Sequence, residues 1–344
     1  MQEKLQKIVQ PLLTWYRENR IMYPWRRDKD PYHVWVSEIM LQQTRIEPVK
    51  TYYTRFMEEL PDIEALSRVS EERLMKLWEG LGYYSRARNL HKTAKTIVQE
   101  YGGKFPQTYQ ELKKLSGIGD YTAGAIASVC FDEKVPAVDG NVLRVAARVL
   151  GSDKNILLNE TKKEVTGLLS AVMPTEAGEF NESLMELGEN ICLPNGAPLC
   201  GNCPLKEYCT AFQQGRTADL PVRRKKVVRR QEQKTVLLIV SVNGRMAIEK
   251  RGKKGLLAGM YQLPNLEGYC SAEELRRLFE SWEMPPVSIE FLSQAKHVFT
   301  HLDWLMEGYR ITVPHETQRF LWVTPQELHE TYALPTAFKY FLDK

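Results

Sequence analysis

Residues 115–141, LSGIGDYTAGAIASVCFDEKVPAVDGN, constrain this chain more than any other stretch. Leu112 and Leu115 close one apolar face, Gly117 and Gly119 punctuate, and residues 122–129 resume in small, helix-compatible side chains. The spacing predicts two helices joined by a tight turn. A Gly-Ile-Gly turn leaves backbone N–H groups bare at the start of the second helix, where the helix dipole also favours an anion; a phosphate is the natural occupant. Twenty residues past Gly119, Asp139 stands between Val138 and Gly140-Asn141 at the mouth of another helical run, residues 142–150. Taken singly, these are a glycine-rich corner and an aspartate helix cap. Taken together, they set an acid near an anion-binding turn.

At 344 residues the chain has room for two domains with real cores. Charged residues make up 26% and hydrophobic ones 43%, which excludes a disordered chain, and no apolar run is long enough to span a bilayer. The start, MQEKLQKIVQPLL, is charged and helical in pattern and lacks the apolar core of a signal peptide. A cytosolic protein with access to DNA is therefore expected. The net charge is only +4, so any case for nucleic acid rests on local clusters.

Leu5, Ile8, Val9, Leu12, Leu13 and Tyr16 predict an amphipathic helix, broken at Pro24-Trp25-Arg26-Arg27-Asp28. After Asp30-Pro31 a second helix runs through VWVSEIMLQQT, where Val34, Glu38 and Leu41 fall at i, i+4 and i+7 and put a carboxyl group on an apolar stripe. Burial raises a carboxyl pKa, and such an acid can donate a proton near neutral pH. A surface glutamate on a misphased helix is the alternative.

LSGIGDYTAGAI followed by VDGN resembles the helix-hairpin-helix and catalytic aspartate of the endonuclease III superfamily of base-excision DNA glycosylases. PWR, SEIMLQQT and WEGLGYYSRARNL (residues 78–90) narrow the likeness to the MutY-type adenine DNA glycosylases, in the right order over nearly the whole chain. The resemblance implies a substrate of duplex DNA with adenine opposite 8-oxoguanine or guanine. It also implies that Glu38 is the general acid, that Asp139 lies beside the sugar with Tyr121 and Asn141, and that Trp25, Arg26 and Glu182 line the adenine pocket. Gln42, Gln43 and Thr44 then face the base pair, Gly117 and Gly119 hold a phosphate, and Leu81, Tyr83 and Tyr84 belong to a loop that wedges the duplex. An extruded base leaves a gap that an apolar or aromatic wedge can fill; for the tyrosines, plain core packing is the other reading. Bifunctional relatives carry a lysine where this chain has Tyr121, and its amine forms a Schiff base with the sugar. Hydrolysis without efficient strand cleavage is expected here.

Cys192, Cys200, Cys203 and Cys209 fall within one short segment, and a cytosolic protein rarely spends such a group on disulfides. Zinc usually takes two CxxC-like pairs, whereas this run has one CxxC with longer arms; one iron–sulfur cluster, [4Fe-4S] by the resemblance, fits better. The family pattern has six residues between its first two cysteines, and residues 193–199 make seven. Cys130 and Cys270 are expected to be small buried hydrophobes.

Between residues 213 and 234 the apolar pattern lapses, and Arg223, Arg224, Lys225, Lys226, Arg229 and Arg230 have almost no acidic company, as in an exposed linker able to follow phosphates. Strand-like TVLLIVSV, an Asn243-Gly244 turn and RMAIEKR follow, then a helix at 272–281 and further strands. GLLAGMYQLPNLEG resembles the Nudix-like C-terminal domain of the same family. No REXXEE-type carboxylate cluster occurs between Leu256 and Pro285, so pyrophosphate hydrolysis is not expected. A family loop of Phe-Ser-His type, which touches the oxidised guanine, matches Phe299-Thr300-His301, with threonine for serine.

The expectation is a multi-domain chain. Residues 1–214 form an all-α helix-hairpin-helix glycosylase domain, with a six-helix barrel at about 25–135 and an iron–sulfur part at 1–24 plus 136–214; 215–233 are a basic linker; 234–344 form a smaller α+β Nudix-like domain. The protein is expected to act as a cytoplasmic, nucleoid-associated monomer. A lyase acting on oxidised pyrimidines is disfavoured by Tyr121 and the second domain. A non-catalytic iron–sulfur DNA-binding protein is disfavoured by the joint presence of Glu38 and Asp139, and a Nudix hydrolase by the missing carboxylates.

Overall fold

A computed structural model describes residues 1–224, 229–252 and 254–342. The chain divides into two compact units, 1–68 with 88–225 and 69–87 with 226–344. Among the described residues, the α-helices that precede the sheet are α1 (Gln2–Asn19), α2 (Pro31–Leu41), α3 (Ile46–Glu59), α4 (Ile63–Arg68), α5 (Glu71–Leu77), α6 (Ser85–Tyr101), α7 (Tyr109–Leu112), α8 (Asp120–Phe131), α9 (Gly140–Leu150), α10 (Asn159–Ser170), α11 (Ala177–Asn190) and α12 (Thr210–Gln213).

In the first unit, α1 buries the predicted stripe Leu5, Ile8, Leu12 and Leu13 against Val142, Val145 and Val149 of α9 and Phe180, Leu184 and Leu187 of α11. The helix α2 starts where Asp30 accepts a hydrogen bond from the Tyr32 backbone N–H, with Pro31 in its first turn, where a missing N–H costs nothing. The run Thr122–Ser128 of α8 is buried throughout and packs on α2 and α11. Its small side chains let other backbone come close: a Cβ on Gly124 would stand 2.6 Å from the carbonyl oxygen of Pro136, and one on Gly188 of α11 2.6 Å from the Asn141 Cβ. These contacts carry residues 136–141 in against α8 and α11.

Part of the expected linker is folded. Leu220 is buried with Cys209 and Ala211, Arg148 donates to its carbonyl, and Ile156 N–H donates to Val222 O. One apolar residue, Leu220, thus anchors a stretch whose charge had pointed to solvent. Arg230 already belongs to a strand, while Lys225 and Lys226 lie outside the described residues.

In the second unit, strands β1 (Arg230–Ser241), β2 (Met246–Lys250), β3 (Tyr261–Gln262), β4 (Asn265–Glu267), β5 (Ser288–Val298), β6 (Leu302–Val313) and β7 (Leu321–Val323) form a mixed sheet. Its main order is β3-β2-β1-β6-β5, with β4 on β1 and β7 on β2. β1 and β6 are parallel, from Arg230 opposite Leu302 to Ser241 opposite Val313. β1 alternates its faces. Val236 and Leu238 pack with Trp304, Met306 and Phe338, whereas Leu237 and Ile239 meet Leu275 and Phe279 of α13 (Ala272–Ser281). Two further helices, α14 (Pro325–Glu330) and α15 (Thr336–Lys339), complete the unit.

Because the Gly124 site is walled by backbone, Gly124→Val should destabilise the first unit by about 3 kcal/mol, the upper end of ordinary overpacking, against a helix-propensity gain of a few tenths. Thermal unfolding followed by helical circular dichroism checks this; an unchanged midpoint would show that the backbone yields.

Candidate active site

The first unit holds a cavity of about 600 Å³ lined by the 3₁₀ turn Pro24–Arg26, α2, the residues after it, the N-terminus of α9 and one face of α11. It gathers Trp25, Arg26, Glu38, Gln43, Thr44, Tyr121, Asp139, Asn141 and Glu182. Val34 and Leu41 line it too, so the apolar stripe carrying Glu38 faces this space.

Glu38 sits where α2 crosses α8, and Tyr121 Oη donates to its Oε2 at 2.5 Å. Burial raises the Glu38 carboxyl pKa to about 7; the Tyr121 hydroxyl and Arg26 pull the other way, and the Asp139 and Glu182 carboxylates push it up further. Burial and the Glu38 carboxylate hold the Tyr121 phenol well above its ordinary value, so it stays a neutral donor.

Asp139 is the N-cap of α9, its Oδ1 accepting from Val142 N–H at 2.8 Å and its Oδ2 from Asn141 Nδ2 at 3.0 Å. Burial leaves its pKa raised on balance, although these donors and the Arg144 guanidinium pull it down. The helix-cap and cavity readings of this aspartate are thus both realised in one side chain. Arg144 Nη2 donates to Asn141 Oδ1 at 2.8 Å and to Gly188 O at 2.7 Å, while its Nε donates to Cys192 O at 2.7 Å.

Arg26 lies between two carboxylates of α11: its Nε is 3.3 Å from Glu182 Oε1, and its Nη1 bonds Glu186 Oε2 and Ile21 O. Tyr16 Oη donates to Glu182 Oε2 at 2.8 Å, and Ile21 N–H to Glu186 at 3.0 Å. Glu186 escaped the sequence reading, and Tyr16 was read there only as part of the apolar stripe of the first helix. The spacing of Glu182 and Glu186 at i and i+4 was the available signal, since it puts two carboxyl groups on one helix face. Gln43 has φ 60°, an uncommon left-handed conformation for a non-glycine residue at the cavity rim.

Gly117 has φ +78°, and a Cβ there would meet Asn89 at 2.8 Å. Gly119 is the N-cap of α8 and offers no side chain, so the first-turn N–H groups lack a side-chain cap.

Leu81, Tyr83, Tyr84, Phe299, Thr300 and His301 belong to the second unit. Leu81 and Tyr84 are buried, whereas Tyr83 is 48% exposed with φ 46°. Phe299 packs edge-on against Trp304 and closes a tight turn by donating its N–H to Leu302 O; Thr300 and His301 form the exposed tip. The Thr300 and Tyr83 hydroxyls are 3.1 Å apart.

Cys192, Cys200, Cys203 and Cys209 line one small cavity with Arg148 and Lys206, and Arg148 Nη1 donates to Cys192 Sγ at 3.2 Å. Burial pushes the Cys203 thiol up to about 12. Among the described residues no three His, Cys, Asp or Glu side chains stand ready-grouped around one ion. The convergence of four thiols on a single space nonetheless fits a thiolate-held cluster. Cys130 and Cys270 are only partly buried, the first with its thiol also pushed up to about 12 by burial.

Residues 36–174 match the family model of the HhH-GPD superfamily base excision DNA repair proteins, and residues 235–344 match a NUDIX domain. The chain is 32% identical to the adenine DNA glycosylase of Rattus norvegicus, covering 95% of this chain and 76% of the relative. It is 31% identical to that of Homo sapiens (95% and 72%) and 35% identical to that of Buchnera aphidicola subsp. Schizaphis graminum (75% and 74%). A thermostable thymine-DNA glycosylase shares the fold with TM-score 0.56 and 28% identity, over 62% of this chain and 98% of that one. An endonuclease III from a DNA complex does so with TM-score 0.53 and 22% identity, over the same shares. With a helix-hairpin-helix unit, a Nudix-like α+β unit and relatives similar across most of both chains, this protein belongs to the adenine DNA glycosylases, the adenine-specific DNA N-glycosylases of base excision repair.

Proposed function

We propose that this enzyme hydrolyses the N-glycosidic bond of adenine opposite 8-oxoguanine or guanine in duplex DNA and leaves an intact abasic site. The observation that carries the reading is the pairing, in one cavity, of a Glu38 carboxyl with its pKa raised to about 7 and an Asp139 carboxyl, also raised by burial, that accepts from Val142 N–H and Asn141 Nδ2 with the Arg144 guanidinium nearby. Cleaving this bond requires neutralising a poor leaving group and tolerating positive charge on the sugar, the two tasks that carboxyl groups of unlike protonation divide in glycoside hydrolysis.

The adenine swings out of the stack into the cavity, where Trp25, Arg26 and Glu182 hold it, with Gln43 and Thr44 at the base pair. Protonated Glu38 donates to a ring nitrogen, N7 by the family resemblance, while ionised Asp139, oriented by Asn141, stabilises the oxocarbenium-like sugar. Water completes the reaction. Tyr121 hydrogen-bonds Glu38 and has no amine with which to attack the sugar. The bare N–H groups beyond Gly117 and Gly119 hold a DNA phosphate. Tyr83 and Leu81 belong to the wedge loop, and Phe299, Thr300 and His301 read the base opposite the adenine. Cys192, Cys200, Cys203 and Cys209 hold one [4Fe-4S] cluster, which supplies a structural cross-link for their segment. Acid pair and second unit lie on one chain, so a monomer suffices, working on nucleoid DNA in the cytoplasm.

Glu38→Gln should lower single-turnover cleavage by on the order of 10²-fold or more, the usual range for an acid–base group. Since the acid acts protonated, kcat/KM should fall as pH rises through about 7. Tyr121→Phe removes a hydrogen bond that lowers the Glu38 pKa, so this alkaline limb should move to higher pH; a shift the other way would remove the acid role from Glu38.

With a duplex end-labelled on the adenine strand, strand breaks should appear only after hot alkali. Breaks without alkali would mean a lyase. Thr300→Val keeps the shape and loses the hydroxyl, so preference for 8-oxoguanine over guanine opposite adenine should shrink about fivefold, the worth of one neutral hydrogen bond. Unchanged preference would move recognition off this loop.

A further inference from the structure

A second cavity, of about 430 Å³, lies in the first unit, and Trp25, Arg26, Val129 and Glu182 line both it and the acid cavity. Its other walls come from residues that do not touch the acid cavity, among them Arg20, Met22 and Asp28 near the 3₁₀ turn and Thr175, Glu176 and Glu179 at the start of α11. The two spaces are therefore separated by a wall of a few side chains. Its polar fastening is the Arg26–Glu182 ion pair, Nε to Oε1 at 3.3 Å, whose side chains are 14% and 21% exposed.

Parting this pair strands neither group. Glu182 keeps the Tyr16 hydroxyl on its other oxygen, and Arg26 keeps Glu186 and Ile21 O. The wall can thus open without leaving a buried charge unpartnered, the outcome that makes broken ion pairs costly. Tyr16, for Glu182, and Glu186 with the Ile21 carbonyl, for Arg26, are also the groups that would fix each side chain in its opened position.

The proposed reaction makes such an opening useful. A flipped nucleotide stays attached to its strand, so the DNA backbone lies across the mouth through which the base entered. After the bond breaks, the free base is enclosed between the abasic sugar and the wall. We propose that the second cavity is the exit and transient binding site for the released purine base. The inference rests on the glycosylase reading above. The cavity is in the size range of small-ligand sites. Its chemistry suits a planar purine: Trp25 and Met22 offer apolar contact, Arg20 donates to ring nitrogens, and Glu176 and Glu179, each bonded to Arg17 through one oxygen at 3.1 and 2.7 Å, keep a second oxygen to accept from an exocyclic amine.

The test uses the full-length protein and a duplex whose target adenine carries the label, under single-turnover conditions in which the abasic product is still bound. Cleavage is read by alkali and sizing; free adenine is read as label passing a filter that retains the protein–DNA complex. Thr175→Trp fills the second cavity from an exposed bend outside the acid cavity, and Met22→Trp, at a position 57% exposed, does so from another side if the first variant folds poorly. The wild-type protein should release adenine in step with cleavage, before the DNA leaves. The filled variants should cleave at the wild-type rate yet lose this early adenine, releasing it only with the DNA. Wild-type adenine retained until the DNA leaves, or variants releasing it as early as the wild type, overturns the exit and leaves the glycosylase reading standing. No cleavage by the wild type overturns that reading, and the exit with it.

Discussion

Two carboxyl groups drawn out of water into one cavity set the terms for the helical unit. Burying a charged carboxylate costs several kcal/mol unless donors replace the lost water, and the two acids are supplied unequally. Asp139 receives a backbone N–H and the Asn141 amide, with the Arg144 guanidinium close behind. Glu38 receives one phenolic hydroxyl and faces two other carboxylates. Burial raises both carboxyl pKa values, but the donors around Asp139 pull its pKa back down, whereas Glu38, with one donor and two carboxylates facing it, is raised to about 7.

The helix α11 makes this arrangement possible by dividing its surface between two tasks. Phe180, Leu184 and Leu187 fill the core, while Glu182, Met185, Glu186 and Glu189 line the cavity. The absence of a side chain at Gly188 lets Asn141 approach, and the Gly188 carbonyl accepts from Arg144. That same guanidinium holds the Cys192 carbonyl. The cysteine segment is thereby tied through one side chain to the residue that orients Asp139, and order in one region is order in the other.

Much of this was legible in the sequence because it follows local rules. The apolar stripe of α1, the glycine turn before α8, the aspartate opening α9 and the placement of Glu38 with Val34 and Leu41 are all short-range patterns. What escaped depends on distant packing. Glu186 looks like any helical surface acid until Arg26, 160 residues away, is brought to it. Leu81 and Tyr84 share a motif with Tyr83, yet burial separates them, and only the fold says which ring stays in solvent. The charge pattern of residues 215–233 hid the anchoring of Leu220. The parallel pairing of β1 with β6 joins strands some seventy residues apart, beyond the reach of any periodicity.

The aspartate at the head of α9 serves the helix as well as the proposed chemistry. An N-cap of this kind is worth about 1 kcal/mol to the element it starts, and here that element carries much of the core. Glu38 makes no comparable structural contribution, since its hydrogen bond to Tyr121 relieves a burial that its own carboxyl imposes. The two acids therefore face different fates in a lineage released from the need to repair DNA. Drift can erase the glutamate without removing a helix cap, whereas it meets that resistance at the aspartate. A descendant that had fallen silent would still display VDGN, and in such a branch the surviving motif would be a relic of architecture, with position 38, under the proposed mechanism, the better record of whether the enzyme is alive.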